Sequence, residues 1–401
     1  MKFVEYGDEF LFDDMPKVYN PTQKIFITRL HGLSQLHLPA KVPKIYTSKP
    51  LAWRLKMHFN SKGEQVPIKF FFSKFLPVKY WKNIFENSIQ LLTDTNFVYL
   101  NPGRNPYILH LNDEKRVKIH VFEEPTATRN LMVLIQKDGK ITHLYAGGCV
   151  FLRDILLDDA FVACITMGVE KLFMDLRRAP SQCNPNELKD ITEELDRLLH
   201  KNKQVFKILL VVEIFGSEEL VAELGNQLRG LVHLNDTFLN LNGHFLCLEH
   251  FQMDVEKARI FVEHEANKEE FTKHCHNDEV LLTVKLSTDK SKKDRTNNYF
   301  ELHYSPLPNG FNLKLLAAAL HPGHIYGITC GNMEPPSVPD YLRVYCRIPG
   351  KPRLPKRVTR AVSSGKPLSP EKISPNKDTP APYCIRKTNF EYLDDDSNDD
   401  D

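Results

Sequence analysis

The sequence predicts an α/β fold whose central part is a ladder of alternating strands and helices. Five short apolar runs rich in β-branched residues begin at positions 169, 205, 231, 258 and 279. Amphipathic segments with helix-start signals lie between these runs. Because a strand–helix unit buries its apolar face only against a neighbour, several units in succession predict one continuous sheet lined by helices.

The composition indicates an intracellular protein with sizeable cores. The chain has 401 residues, of which 42% are hydrophobic, and its formal net charge is only +2. We expect no signal peptide and no membrane-spanning helix, because no apolar run is long enough and no cleavage pattern follows the first residues. The eight cysteines contain no CxxC pair, which favours reduced thiols and a location in the nucleus or cytoplasm.

Residues 1–60 are predicted to be an irregular arm or a degenerate docking element. Prolines recur through this segment, and apolar residues over 38–45 and 50–55 have the spacing of a small helical module. Pro43 opposes a long helix there, because proline removes a backbone donor and clashes with the preceding turn.

Residues 61–148 are predicted to form a small β-rich domain. Six short runs have strand character, and turn sequences separate them at 101–103 and 137–139. Val117, Ile119 and Val121 alternate with more polar neighbours, as expected for a sheet with one solvated face.

Residues 149–348 are predicted to form the repeat-like α/β domain. We expect a helix over 151–168, a helix capped by Asn184 with Glu187 in its first turn, and a helix that begins after Ser217. The runs 280–286 and 299–304 are joined by a charged loop without helix signals, so we expect an antiparallel hairpin to close the domain.

Residues 349–401 are predicted to be a disordered tail that is first basic and then acidic. Between 351 and 387, ten Lys or Arg residues stand against Glu371 and Asp378, a balance of +8 (10 − 2). Such a segment cannot bury enough apolar surface to fold. A basic cluster within it has the composition of a nuclear import signal, a nucleic-acid contact or a plain linker; its members are Lys351, Arg353, Lys356, Arg357 and Arg360.

The tail also contains candidate phosphorylation sites. Ser369 and Ser374 each begin an S-P-x-K sequence, Thr379 precedes a proline, and Ser397 precedes acidic residues. The first three resemble sites of proline-directed, cyclin-dependent kinases, and Ser397 resembles a site of an acidophilic kinase. Phosphorylation at these positions would lower the positive charge of the tail and change its preference for anionic partners.

Candidate chemistry in the folded part is sparse. Cys247 and His250 have a ligand-like spacing, and His264 and His274 follow within thirty residues, so these four residues are weak candidates for a zinc site. Ordinary buried or surface side chains remain the favoured interpretation of them, and no metal or other cofactor is predicted. No Walker loop, GxGxxG, GxSxG or HExxH sequence is present, so no catalytic residue is assigned.

The order of elements resembles that of F-box-associated, leucine-rich-repeat-like adaptor proteins. Leu38, Val42 and Ile45 with Pro50 and Leu51 resemble the first half of an F-box, and the strand 116–122 with the following ladder resembles the associated domain. The second half of the box is absent. This resemblance implies a repeat-like domain that recruits targets to Skp1–cullin ubiquitin ligases.

The leading functional hypothesis is a non-enzymatic interaction or adaptor protein with a phospho-regulated tail, possible partners being Skp1–cullin ligase subunits. Its partner surface is expected on loops that follow the strands, at Arg177, Arg178, Glu213, Asn235, Asp236 and Glu263. One alternative is a nuclear chromatin- or nucleic-acid-associated factor that binds through the basic tail. The other is a nucleic-acid-processing enzyme whose motifs have diverged.

Overall fold

The structure is a computed structural model and describes most of the chain up to residue 347. The described residues are 2–5, 8–16, 20, 22–33, 38, 41–64, 92–103, 105–111, 115–150, 152–179, 187–201, 207–264, 281–287, 299–328 and 336–347. They form three sheets with helices between and beside them. The predicted α/β class is confirmed.

The first sheet is built almost entirely from the N-terminal segment. Its strands lie side by side in chain order, β1 and β2 antiparallel and the others parallel. Helix α1 (Lys49–Glu64) follows the fourth strand. Where the sequence predicts an irregular arm, the structure therefore has four strands and a helix; each strand is only three to five residues long, too short to show a clear alternation. The strands are β1 Lys2–Glu5, β2 Asp8–Phe12, β3 Gln23–Phe26, β4 Ile45–Thr47 and β5 Phe97–Tyr99.

The second sheet combines an antiparallel meander with a parallel half. β6 to β9 pair successively as antiparallel neighbours, and β9, β10 and β16 are parallel. The sheet crosses position 148, where the sequence places a domain boundary, because β9 and β10 pair directly. Its strands are β6 Tyr107–His110, β7 Arg116–Glu123, β8 Leu131–Lys137, β9 Lys140–Tyr145, β10 Val169–Met174 and β16 His324–Gly327.

Two short helices replace the single helix predicted over 151–168. α2 spans Leu152–Leu156 and α3 spans Asp159–Thr166. The break falls at Asp158, whose carboxylate accepts hydrogen bonds from the backbone N–H groups of Ala160 and Phe161. An N-cap carboxylate stabilises a new helix start at this point.

The third sheet is wholly parallel and contains the rest of the predicted ladder. Its order is β12-β13-β11-β14-β15, so β13 lies between β12 and β11, and β10 belongs to the second sheet. A leucine-rich-repeat-like ladder would place consecutive strands side by side throughout; this sheet does not. Its elements are α4 Glu187–Lys201, β11 Lys207–Val212, α5 Glu218–Gln227, β12 Val232–Leu234, α6 Asp236–Asn242, β13 Ile260–His264, β14 Leu281–Ser287 and β15 Tyr299–His303.

The last two strands of this sheet are neighbours, as predicted, but they are parallel. Thr283 lies opposite Tyr299 and Leu286 lies opposite Leu302. The antiparallel hairpin predicted here is therefore not formed. The charged connection 288–298 lacks apolar periodicity, so nothing in its sequence indicated a crossover; its own structure lies outside the described residues.

Two helices complete the described chain. α7 spans Gly310–Leu320, and the Asn309 side chain accepts hydrogen bonds from two N–H groups in its first turn. α8 (Asp340–Arg343) is a single turn. The first and second sheets enclose one core, in which Phe12 stacks on Phe26 and Tyr145.

Two further large cores and one small apolar cluster, formed by Leu209, Val211, Ala258 and Phe261, lie outside this first one. The opposite face of the second sheet packs against α2, α3 and α7, and the third sheet packs against α4, α5 and α6. Within the described residues, no helix combines the length and the apolar character needed to cross a bilayer.

The direction of β15 can be tested with engineered disulfides. Parallel neighbours place paired Cα atoms about 4.8 Å apart, within the range that a disulfide spans. We expect Thr283→Cys with Tyr299→Cys to form a bond under mild oxidation, detected by peptide mass spectrometry. The matched pair is Thr283→Cys with His303→Cys, which a hairpin would bring together; bonding in that pair and not in the first would contradict the parallel register.

Candidate functional site

The carboxyl ends of parallel strands from all three sheets meet around one small cleft. The cleft is open to solvent and has room for about one water molecule. Crevices beyond the carboxyl ends of parallel strands are the usual ligand sites of α/β proteins, which makes this cleft the candidate site. Its lining comes from segments that follow β3 (Arg29, His31), β7 (Thr128, Asn130), β9 (Gly148), β11 (Gly216, Glu218) and β15 (Pro306, Leu307).

A buried charge network joins the first and second sheets beneath this cleft. The Arg29 guanidinium lies between two carboxylates: Nε is 3.4 Å from Asp13 Oδ2 and an Nη is 2.8 Å from Asp175 Oδ2. The Arg177 side chain donates hydrogen bonds to the same Asp175 carboxylate, from Nε at 2.9 Å and from one Nη at 2.6 Å. The Tyr145 hydroxyl donates to Asp13 at 2.9 Å. Asp13, Arg29 and Asp175 are almost completely buried.

Two backbone features allow this network to form. Asp13 also accepts hydrogen bonds from the N–H and the hydroxyl of Thr28, which fixes the chain just after β3. Gly148 lies directly against Arg29: a Cβ at position 148 would be 2.9 Å from Arg29 Cδ. A side chain at position 148 would therefore displace the guanidinium from its two carboxylates.

The network has a clear effect on the acidity of its members. Burial alone would raise the pKa of Asp175, but the hydrogen bonds from Arg177 and the charge of Arg29 outweigh burial and lower it from 3.8 to about 2. Burial next to Asp13 raises the pKa of Tyr145 well above its usual value. Asp175 is therefore a fixed anion, and Tyr145 remains a neutral hydrogen-bond donor.

A second buried pair joins α1 to α5, the helix that begins at Glu218 and packs on the third sheet. An Nη of the fully buried Arg54 lies 3.0 Å from Glu218 Oε1, and its other Nη donates to the carbonyl oxygens of Ala127 and Thr128. The guanidinium carbon lies 4.3 Å from the centre of the Phe245 ring. Burial raises the pKa of Glu218, and the charge of Arg54 opposes this shift. Since Glu218 lines the cleft, Arg54 neutralises a charge that would otherwise face it.

One carboxyl group near the cleft titrates close to neutral pH. Burial and the nearby Glu124 raise the pKa of Glu219 to about 7. Its carboxylate accepts a hydrogen bond from the backbone N–H of Ala127, and Glu124 accepts one from the Asn130 amide at 2.9 Å. A pKa near 7 suits a general acid or base, but Glu219 does not line the cleft.

Sequence reasoning missed a thiol–imidazole–amide arrangement on the second sheet. Cys164 Sγ lies 3.4 Å from His120 Nδ1, and His120 Nε2 lies 3.0 Å from Gln136 Oε1. A nucleophilic thiol site has this connectivity. Here, however, burial and the charge of Asp158 raise the pKa of Cys164, and the thiol is in the last turns of α3, where the helix dipole disfavours a thiolate. Both effects favour the neutral, buried thiol over the thiolate.

The six residues predicted as a partner surface divide into two groups. Arg177, Glu213 and Asp236 are exposed. The other three are half-buried or buried: Arg178 donates to the carbonyl oxygens of Ser305 and Leu307, and the buried Asn235 donates to Glu263 at 2.6 Å. Asn235 also caps α6, so these residues position loops.

The residues predicted as zinc candidates do not all lie together in the part of the chain that the structure describes. Cys247 and His250 are close together, and the carboxylate of Glu249 joins them. His264 lies opposite Val212 at the carboxyl end of β13, away from that turn. His274 lies outside the described residues, as do Ser369, Ser374, Thr379, Ser397 and the whole basic cluster 351–360.

Comparison with models of known protein families finds no match, and comparison with curated protein sequences finds none either.

The Asp175 network predicts a specific pH dependence of stability. Because the folded pKa of about 2 lies below the usual 3.8, ionised Asp175 stabilises the fold above pH 4 and loses that contribution as the pH falls towards 2. Asp175→Asn leaves two guanidinium groups without their shared anion, and we expect it to lower the free energy of unfolding by about 3–5 kcal/mol at pH 7.

Urea denaturation of both proteins from pH 7 to pH 3 measures this contribution. The difference in unfolding free energy between wild type and Asp175→Asn should shrink below pH 4. A difference that stays constant down to pH 3, or no difference at pH 7, would contradict the assignment.

Proposed function

We propose that this protein is a non-enzymatic protein-binding factor whose partner docks on the face formed by the strand ends. The observation that carries the proposal is the internal pairing of the buried charges around the cleft. Arg29 is engaged with Asp13 and Asp175, and Arg54 is engaged with Glu218. These groups stabilise the junction of the sheets, so a rigid surface is presented to a partner.

The chemistry of the cleft favours binding over catalysis. An acid, base or nucleophile must be able to change its protonation or bonding during a reaction. Asp175 is held as an anion by two arginines, and Glu218 is held by Arg54 and by the N–H of Gly216 at 2.6 Å. Reorganising either group would break contacts between sheets.

The rim of this face has charges of both signs. The Glu213 side chain is 68% exposed and lies 3.4 Å from the ring of His31, and the neighbouring Arg177 is 33% exposed. Asp236 is exposed at the start of α6. A mixed rim suits a protein partner with complementary charges better than a polyanion, which would require an excess of positive charge.

Ligase docking through the F-box-like segment receives no support from burial. Ile45 lies in β4 and Leu51 lies in α1, and both are completely buried. They belong to the core between the first and second sheets. The proposed adaptor therefore acts without Skp1 contacts at these residues, in the nucleus or cytoplasm, and the phosphorylatable tail remains a proposed regulatory segment.

Affinity purification with charge-reversed variants tests the proposal. We expect Glu213→Lys with Asp236→Lys to reduce capture of at least one protein from a eukaryotic extract by about tenfold, because each such contact at an interface contributes on the order of 1 kcal/mol or more. Quantitative mass spectrometry of the captured proteins measures the change.

The matched control makes the same charge change away from the strand ends. Glu170→Lys with Glu193→Lys alters two exposed acids at the amino end of β10 and on the outer face of α4. It should leave capture unchanged, and all variants should keep the wild-type circular dichroism spectrum. Equal capture by the strand-end variant and the control variant would contradict the proposal. Recovery of Skp1 and cullin subunits, or of proteins lost after nuclease treatment, would replace it with the ligase adaptor or the nucleic-acid factor.

A further inference from the structure

Three metal-ligating side chains converge in one turn at the other end of the third sheet. Cys247, Glu249 and His250 place a sulfur, a carboxylate oxygen and a ring nitrogen within 4.8 Å of one another. Cys247 Sγ lies 3.2 Å from Glu249 Oε1. In the described ranges, which end at residue 347 and have internal gaps, this is the one group of three or more such side chains at that spacing.

The backbone of this turn is held from both sides. A 3-10 turn spans Leu248–His250, and the N–H of His250 donates to the carbonyl oxygen of Cys247 at 3.0 Å. The carbonyl oxygen of His250 in turn accepts from the N–H of Gly230, also at 3.0 Å. The ligand positions are therefore fixed relative to β12 before any ion binds.

Packing of Phe251 against α5 also holds this turn in place. The ring of Phe251 presses so closely on α5 that a Cβ at Gly225 would lie 2.5 Å from it. His250 is only 6% exposed, whereas Cys247 is half-buried and Glu249 is exposed. The imidazole approaches from the protein and the other two donors lie towards solvent, which leaves an open position on the solvent side.

The donor set indicates the metal. Thiolate and imidazole ligands together favour zinc over calcium or magnesium, and carboxylate is a common third ligand. Zinc bound to sulfur at about 2.3 Å and to nitrogen and oxygen at about 2.0–2.2 Å places its ligand atoms roughly 3.2–3.7 Å apart. Cys247 Sγ and Glu249 Oε1 are already 3.2 Å apart, and no pair of ligand atoms is more than 4.8 Å apart, so shifts of about 1 Å bring the set into that range.

The structure also excludes His264 from this group. The turn lies beside Gly230, just before β12, and Val232 of β12 is opposite Ile260. His264 is four residues further along β13, which is about 13 Å in an extended strand. It lies instead beside Glu213 on the strand-end face. Glu249 takes the place that the sequence pattern offered to His264.

We propose that Cys247, Glu249 and His250 form a zinc site whose fourth ligand is water. Binding replaces the S–H bond of Cys247 with a zinc–thiolate bond and releases one proton to solvent. Three exposed apolar side chains lie on or near this turn, Leu248, Met253 and Val255, at 44%, 65% and 51% exposure, so the ion would bind beside accessible apolar surface. The site does not depend on the proposed function.

Metal titration of the full chain tests the site. Metal-free protein is titrated with Zn²⁺ against a chromophoric chelator, and with Co²⁺ while its absorption is recorded. We expect one ion per chain and a thiolate-to-cobalt charge-transfer band. Cys247→Ser should abolish that band and weaken zinc binding by at least about tenfold, since the thiolate is a direct ligand. Glu249→Gln should weaken binding and keep the band.

Two controls separate this site from other sources of binding. Cys346→Ser changes a half-buried thiol elsewhere, and His264→Gln removes the excluded histidine; both should bind like wild type. His250→Gln should also lose the ion, with thermal denaturation in chelator used to verify its fold. No zinc binding by the wild type, or unchanged binding and an unchanged cobalt band in Cys247→Ser, would overturn the proposal and leave an adventitious ion only.

Discussion

The pairing of buried charges at the strand ends is the constraint on which the rest of the structure depends. A guanidinium or carboxylate removed from water costs several kcal/mol unless a partner and further hydrogen bonds replace its hydration. Arg29 meets this requirement only if β3 and β10 end side by side, because Asp13 and Asp175 belong to different sheets. Arg54 imposes the same condition on α1 and α5 through Glu218.

These pairs also determine what kind of surface the molecule offers. The strand-end cleft of an α/β protein usually collects reactive groups, whereas here its charged lining is held in contacts between sheets. Glu213 and Arg177 remain accessible at the rim, and the zinc-binding turn proposed at Cys247 lies at the opposite end of the third sheet. The strand-end face and the turn at Cys247 are therefore two separate surfaces of the described residues.

The parts of the fold that the sequence predicted correctly are those determined locally. The meander strands alternate within a few residues, and the helix predicted after Ser217 begins there with Glu218 and Glu219 in its first turn. The direction of β15 and the position of β13 depend on pairings between distant segments and have no local signature. The contact between Arg29 and Asp175 joins residues 146 positions apart, so no spacing rule could find it. The C-x-x-H spacing of Cys247 and His250 is visible in the sequence, whereas only the geometry of the turn places the Glu249 carboxylate beside them.

The most direct test of the account is a double-mutant cycle on Arg54 and Glu218, measured by urea denaturation at pH 7. If the pair holds α1 against the third sheet, Arg54→Met and Glu218→Gln should each cost about 3–5 kcal/mol, because each leaves a buried charge unpaired. The double variant should then cost about 1–3 kcal/mol less than the sum of the two single variants. Single costs below about 1 kcal/mol, or additivity within about 0.5 kcal/mol, would contradict the claim that these charges hold the sheets together.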